Sequence, residues 1–134
     1  MMTIQVQHFA HTIPNTATTT SPYVGQMQLG VFQVDWVEVG VPDGVNGVVG
    51  FYIASSHVQV VPFPPGSSTV WVVSNDRVFH WDLTDQPDSG DWQFYAYNTG
   101  GYSHTLTVTW GVELVGSGQA PPVTYATNDQ LSNA

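Results

Sequence analysis

The segment HTLTVTWGVEL, residues 104–114, alternates apolar side chains with small or polar ones over its whole length. Successive side chains of an extended chain point to opposite sides, so every second residue shares a face. The apolar face consists of Leu106, Val108, Trp110, Val112 and Leu114. This pattern predicts a β-strand with one face buried in a core.

The preceding segment DWQFYAYN, residues 91–98, alternates in the same way. It places Tyr95 and Tyr97 on the face opposite its other aromatic side chains. TGGYS, residues 99–103, separates the two strands and has the length and glycine content of a hairpin loop. The two strands are therefore predicted to pair as an antiparallel hairpin.

Six further segments are rich in the Val, Phe, Trp, Tyr and Thr residues that strands favour. They cover residues 4–11, 30–41, 48–55, 58–63, 69–74 and 77–83. The breaks between them carry Pro, Gly, Asn and Asp, and no segment repeats apolar residues at helical spacing. About eight short strands with regular turns predict an all-β fold, an antiparallel, jelly-roll-like β-sandwich.

The domain boundary follows from composition. Residues 1–115 are predicted to form the sandwich, and within them the Thr-rich stretch 12–28 is interpreted as a long loop or extended edge. Residues 116–134 are rich in Gly, Ser, Pro and Asn, and are predicted to be an extended C-terminal tail.

The charge balance excludes several classes of partner. Of the 134 residues, one is Lys or Arg and ten are Asp or Glu, which gives a net charge of −9. One cation cannot neutralise a phosphate backbone or an anionic membrane, so nucleic acid and membrane partners are excluded. Only 8% of residues are charged, against about 25% in an ordinary soluble protein. Such a surface fits a subunit of a larger assembly, and it fits a neutral β-rich domain equally well.

Other compositional features narrow the chemistry. The chain has no cysteine, which removes disulfides, zinc–thiolate sites and thiol nucleophiles. It has no basic, apolar N-terminal leader and no apolar run of spanning length, so we expect synthesis in a cytoplasm without a signal or a membrane span.

The only cation, Arg77, lies in SNDRVFHWDL, residues 74–83, beside Asp76 and close to His80 and Asp82. This group could be a catalytic cluster or a structural one. On a strand, His80 and Asp82 share a solvated face and need no catalytic role. Arg77 is therefore predicted to form a turn-stabilising or intersubunit ion pair with Asp76.

No metal or cofactor site is predicted. Four aspartates lie three residues apart, at positions 82, 85, 88 and 91, but this spacing matches no calcium loop, and aspartate is common in turns. The five histidines form neither an H-x-H nor an HExxH motif.

The aromatic residues divide into core and surface. The five tryptophans could form a sugar-stacking platform, but most alternate in step with Val and Leu, which predicts core packing. Tyr95 and Tyr97 lie on the opposite face and are predicted to be exposed or at an interface. The candidate interface residues are Arg77, Tyr95, Tyr97 and Tyr125.

The middle of the chain resembles a group of small all-β proteins that tailed bacteriophages encode among their head and tail structural genes. The similar stretches are 47–56, 60–63, 73–83 and 87–108. A G-x-x-G-F-x-I motif is matched by Gly47, Gly50, Phe51 and Ile53, and an S-G-x-W-x-x-x-x-Y-N motif by Ser89, Gly90, Trp92, Tyr97 and Asn98. The resemblance spans roughly residues 8–115 and rests on packing and turn residues.

The resemblance implies a virion component, most simply a capsid decoration protein, and it implies no catalytic residues. We therefore expect a non-enzymatic structural protein that bridges neighbouring capsid subunits. Its partner would be the major capsid protein or another virion protein, and it would form a homo-oligomer, with a trimer favoured. A neck or tail component and a carbohydrate-binding module for host attachment are the alternatives. An enzyme would need a cleft with paired acids of perturbed pKa.

Overall fold

The computed structural model describes residues 4–29, 32–63, 68–83 and 91–114. The predicted tail and Tyr125 lie outside these ranges. The described residues form nine strands and no helix. The strands are β1 (Ile4–Ile13), β2 (Tyr23–Gln28), β3 (Phe32–Val41), β4 (Val49–Ser55), β5 (Val58–Val61), β6 (Val72–Val73), β7 (Arg77–Asp82), β8 (Asp91–Asn98) and β9 (His104–Leu114).

The strands form two antiparallel sheets. The four-stranded sheet has the order β1-β9-β3-β7, and the five-stranded sheet has the order β2-β8-β4-β5, with β6 also paired to β4. The chain passes from one sheet to the other at every connection except those that join β4, β5 and β6. This order is that of a jelly roll, whose two sheets pack face to face, and it confirms the predicted fold class.

The predicted hairpin between β8 and β9 is wrong. β8 pairs with β2 and β4, whereas β9 pairs with β1 and β3 in the other sheet. Trp92 of β8 and Trp110 of β9 meet across the core, with ring centroids 4.8 Å apart. Alternation shows that each strand has one buried face, and two strands that face each other across a sandwich satisfy it as well as two that pair.

Asn98 stabilises the crossing between the sheets. Its buried side chain donates to the carbonyl oxygens of Ile13 at 3.1 Å and Tyr102 at 2.8 Å. Its Oδ1 accepts a hydrogen bond from the backbone N–H of Gly100 at 2.9 Å. These bonds satisfy polar groups that a corner leaves without ladder partners.

The stretch 12–28 is not only a loop, because β2 occupies its second half and pairs along β8 as an edge strand. Its inward positions include Gly25 and Met27. A Cβ on Gly25 would lie 2.4 Å from Nδ1 of His11, so the glycine makes room for a ring from β1. The extended edge predicted as an alternative for this stretch is therefore confirmed for its second half, and the glycine at an inward position explains why apolar alternation did not define the strand.

The core lies between the sheets. Phe51 is at its centre, stacked on Phe94 at 5.5 Å and in edge contact with Phe79 at 6.0 Å. The largest fully buried side chains are Trp92, Trp110, Phe51, Phe94, Ile13, Met27, Leu29, Ile53, Leu106, Gln93 and Val34. The prediction that most tryptophans pack in the core is confirmed: Trp92 and Trp110 are fully buried, and Trp81 is partly buried against the core in edge contact with Phe51.

Candidate interaction surfaces

The outer face of the five-stranded sheet carries a row of four half-buried aromatic side chains, which we call the aromatic strip. It consists of Tyr52, Trp71, Tyr95 and Tyr97. Tyr52 and Tyr95 are opposite each other in the β4–β8 ladder, and their rings stack with centroids 4.7 Å apart and planes 7° from parallel. Trp71 meets Tyr52 and Tyr97 edge-on, each at 4.9 Å.

Tyr97 lies across the backbone of Gly50, its partner in the β4–β8 ladder. A Cβ on Gly50 would lie 2.3 Å from Cε2 of Tyr97 and 2.7 Å from its hydroxyl oxygen. The absence of a side chain at position 50 therefore lets the ring lie down on the sheet, an arrangement that shields a glycine in a strand.

Hydrogen bonds fix one end of the aromatic strip. The Tyr95 hydroxyl lies 2.9 Å from Nδ1 of His57. The backbone N–H of His57 donates to Oε1 of Gln93 at 2.8 Å, and Nε2 of Gln93 donates to Oδ1 of Asp91 at 2.9 Å. Burial, followed by the proximity of Tyr95, raises the pKa of Tyr52. Contacts within the chain thus order these rings without a binding partner.

Arg77 does not belong to the aromatic strip. It begins β7, an edge strand of the four-stranded sheet, and its guanidinium lies 4.7 Å from the ring centroid of Phe79. Within the described part of the chain it makes no ion pair with Asp76, so the predicted turn-stabilising pair is not formed. A cation over an aromatic face takes its place; an intersubunit pair stays a prediction.

The outer face of the four-stranded sheet carries a cluster of acidic side chains around a histidine. His80 lies between two carboxylates, with Nδ1 2.9 Å from Oε2 of Glu38 and Nε2 3.0 Å from Oδ1 of Asp82. The hydrogen bonds to Glu38 and then to Asp82 raise the pKa of His80, because both favour the protonated ring. The predicted sharing of a face by His80 and Asp82 is confirmed. We call Glu38, His80 and Asp82 the acidic face.

Trp36 lies beside the acidic face and is the outer-face counterpart of Tyr97. A Cβ on Gly111 would lie 2.2 Å from Cε2 and Nε1 of Trp36, and the two residues are ladder partners. The indole also stacks against His80, with centroids 5.6 Å apart. Trp36 is therefore one of the tryptophans that do not pack in the core.

Two acids meet where β3 is interrupted. The β3–β9 register shifts between Val34 and Trp36, which leaves Asp35 in a bulge that brings it to Glu113 of β9. A hydrogen bond in which protonated Glu113 donates to Asp35, then desolvation and the like charge, raise the pKa of Glu113. Oδ1 of Asp35 is buried without a hydrogen-bond partner among the described residues. No periodic pattern in the sequence indicates this pair, because a bulge changes which side chains are neighbours.

His11 is a buried histidine inside the sandwich. Its ring stacks on Phe94 at 4.9 Å, and its Nδ1 lies 2.9 Å from the Tyr23 hydroxyl. Its Nε2 is buried and has no hydrogen-bond partner in the described ranges. Burial lowers the pKa of His11, because a charged ring would lose its hydration there.

The described residues contain neither a cluster of metal-binding side chains nor a membrane-spanning helix. Among residues 4–29, 32–63, 68–83 and 91–114, no three His, Asp or Glu side chains are grouped to hold a metal ion. A helix long and apolar enough to span a membrane is also absent from these ranges.

The structure joins two of the four candidate interface residues, Tyr95 and Tyr97, in one surface. Sequence reasoning missed Tyr52 and Trp71 as their neighbours. A signal for Tyr52 was present, because it alternates with Phe51 and Ile53 in the predicted strand 48–55 and must face outward.

No family model matches this chain, and neither a curated protein nor a solved structure matches it.

Proposed function

We propose that this protein is a non-enzymatic structural component of a tailed-phage particle, a decoration or cement protein that docks on the capsid and bridges neighbouring subunits. Its partner is the major capsid protein or another virion protein, and it acts in the virion after synthesis in the host cytoplasm. The motif resemblance in residues 47–108 supplies the kind of particle. The fold does not distinguish a capsid component from a sugar-binding protein, because jelly rolls occur in capsid proteins and in lectins.

The observation that carries the proposal is the aromatic strip. Its rings are ordered by stacking and hydrogen bonds, yet they lie on the outer face of the sheet, away from the core. Tyr and Trp are the side chains most enriched at the centres of protein interfaces, since they bury a large area and lose few rotamers. A surface of this kind suits a subunit that makes protein–protein contacts within an assembly.

The titratable groups support a structural role. Both ring nitrogens of His80 are engaged by carboxylates, so this ring has no free nitrogen to act as a base. Asp35 and Glu113 lie within hydrogen-bonding reach of each other, and this contact raises the pKa of Glu113. Glycoside hydrolases instead keep their two carboxyl groups about 5 Å or more apart, with the substrate between them.

A carbohydrate-binding module is the second candidate, because aromatic rings on a sheet face can stack on sugars. The geometry of the aromatic strip favours it less. Tyr52 and Tyr95 cover one ring face of each other, and sugar stacking needs a free, flat face. Titration with oligosaccharides, followed by tryptophan fluorescence, should leave the emission unchanged. A saturable change that Trp71→Phe abolishes would establish the module.

The test of the virion proposal is the composition of the particle. Virions of the phage that encodes the chain should contain it at a fixed ratio to the major capsid protein, and it should remain with heads after heads and tails are separated. Recovery with tails would establish the neck or tail alternative. Absence from purified virions would refute a virion role.

A second experiment addresses the C-terminal segment of the chain. Deleting residues 116–134 should weaken binding to particles while the thermal unfolding transition of the sandwich stays in place. Unchanged binding by the truncated protein would remove the tail from the docking mechanism. Particles that lack the protein should also lose DNA more readily on osmotic shock than complete ones.

A further inference from the structure

We propose that two copies of this chain associate through the outer face of the five-stranded sheet, with the aromatic strip at the centre of the contact. This goes beyond the proposed function, because it names an occupant for this face and does not depend on any particle.

The apolar surface extends beyond the rings on both sides. Val24 of β2 is the ladder partner of Tyr95 and is 43% exposed. Val73 of β6 is the ladder partner of Gly50 and is 49% exposed. Together with the aromatic strip they make a continuous patch across β2, β8, β4 and β6. Contiguous exposed apolar surface of this kind marks an interaction site.

The distribution of charge indicates a second copy as the occupant. Among the described acids, Glu38, Asp82, Asp35 and Glu113 belong to the four-stranded sheet, and Asp43 and Asp76 lie in loops. The described strands of the five-stranded sheet contain one acid, Asp91, whose carboxylate accepts a hydrogen bond from Gln93.

Two molecules of charge −9 repel each other wherever their acids meet. The patch is a described surface on which two copies can touch without opposing carboxylates. A basic partner would instead be attracted to the acidic face, because electrostatic complementarity selects partners by charge. The neutral patch therefore fits another copy of the same chain.

The size of the patch sets the strength of the contact. With strands about 4.8 Å apart and residues about 3.3 Å apart, six residues each of β2, β8 and β4 and the two residues of β6 give a flat area of roughly 300 Å² per copy. Two copies together cover roughly 600 Å², below the roughly 1,200 Å² of a stable specific interface and in the range of weak, transient contacts. We therefore expect a dimer that dissociates on dilution. A contact that uses the same patch on both copies closes as a dimer, not as the trimer that we expected from the sequence.

Sedimentation velocity of the full chain over a wide concentration range tests this. The wild-type chain should pass from monomer to dimer as concentration rises, and added salt should strengthen the dimer by screening the repulsion between acids. Val73→Asp should raise the dimer Kd about tenfold or more, because symmetry places two new charges in the contact. Trp71→Ala should do the same by removing a ring.

Val6→Asp is the matched control. Val6 is 64% exposed on β1, on the outer face of the other sheet, and its substitution should leave the dimer unchanged. Thermal unfolding of each variant checks that the sandwich is intact, and Val24→Asp replaces Val73→Asp if that variant does not fold.

A chain that stays monomeric at every concentration overturns the proposal, as does a trimer or a dimer that Val6→Asp dissociates and Val73→Asp does not. A monomeric chain that is still incorporated into particles would reject the self-contact and leave the proposed function standing. A dimer formed by a chain absent from virions would do the reverse.

Discussion

Acidification should destabilise this protein through His11. The residue is 4% exposed, and burial lowers its pKa from the ordinary value of 6.5. The neutral ring makes one hydrogen bond, to the Tyr23 hydroxyl, its buried Nε2 has no partner among the described residues, and Phe9 and Phe94 lie on its faces. Protonation would place a charge between two apolar layers, where a hydroxyl is a poor substitute for water.

The sign of the effect follows from proton binding. Because the pKa of His11 is lower in the folded chain, the unfolded chain binds more protons below pH 6.5. The stabilisation is therefore complete above that pH, and it is lost as the pH falls toward the folded pKa. One proton gives a slope of about 1.4 kcal/mol per pH unit. Against a total stability of about 5–15 kcal/mol, this slope is easily measured.

Urea unfolding at a series of pH values between about 5 and 7 measures the slope, in a range above the ordinary carboxylate pKa values. The comparison is with the double variant His11→Phe/Tyr23→Phe, which removes the titrating ring and both partners of its hydrogen bond. The tight approach of Gly25 to His11 makes some loss of absolute stability expected from the larger ring. The slope is the diagnostic quantity, and the double variant should lose it.

The exposed neighbour His8 provides the control, because His8→Gln leaves the buried ring in place and should preserve the wild-type slope. Equal slopes in the wild-type chain and the double variant would refute the reasoning. So would an NMR titration in which the His11 ring of the folded chain protonates at or above its ordinary value.

Three other substitutions test the packing and the acidic face. Gly50→Ala should lower the free energy of unfolding by about 1–3 kcal/mol, because the new methyl group meets the Tyr97 ring; Gly101→Ala, with open space around it, should have no effect in the same urea titration. The raised pKa of His80 contributes stability that is complete below pH 6.5 and is lost as the pH rises above that value. His80→Gln should remove this loss, and a pH series of thermal melts in which the variant keeps it would contradict the reasoning. Phe51→Ala should lower the free energy of unfolding by about 3–5 kcal/mol by opening a cavity at the core centre, and a smaller loss in urea would mean that the core collapses around the site.

The sequence predicted individual strands better than their partners. Alternation located β9 and β8, because each buries one face, but that signal contains no information on which strands share a sheet. The hairpin error between these strands arose there. β2 was predicted only as an extended edge, one of two alternatives for residues 12–28, since Gly25 occupies an inward position that normally carries a large apolar side chain.

The surface residues show the same difference between local features, which the sequence predicts, and non-local contacts, which it does not. Tyr95 and Tyr97 were found because they alternate against a strongly apolar face. The rest of the aromatic strip depends on the β4–β8 register and on β6, which are properties of non-local pairing. The meeting of Asp35 and Glu113 depends on a bulge, which shifts neighbours by one residue and leaves no periodic trace. What the sequence predicted was local, and what it missed required contacts between distant segments.

Salt should have opposite effects on the contacts made by the two surfaces of this protein. On the proposed pairing, the neutral patches face each other, and the acidic face of each copy points outward on the far side of its own sandwich. A contact between neutral patches of two anionic molecules strengthens as salt screens their mutual repulsion, whereas a contact between an acidic face and a basic partner weakens. A cement protein built this way should therefore leave its particle at high salt while remaining paired. Release from the particle as monomers at high salt would mean that one surface serves both contacts, and the assignment of different partners to the two faces would fail.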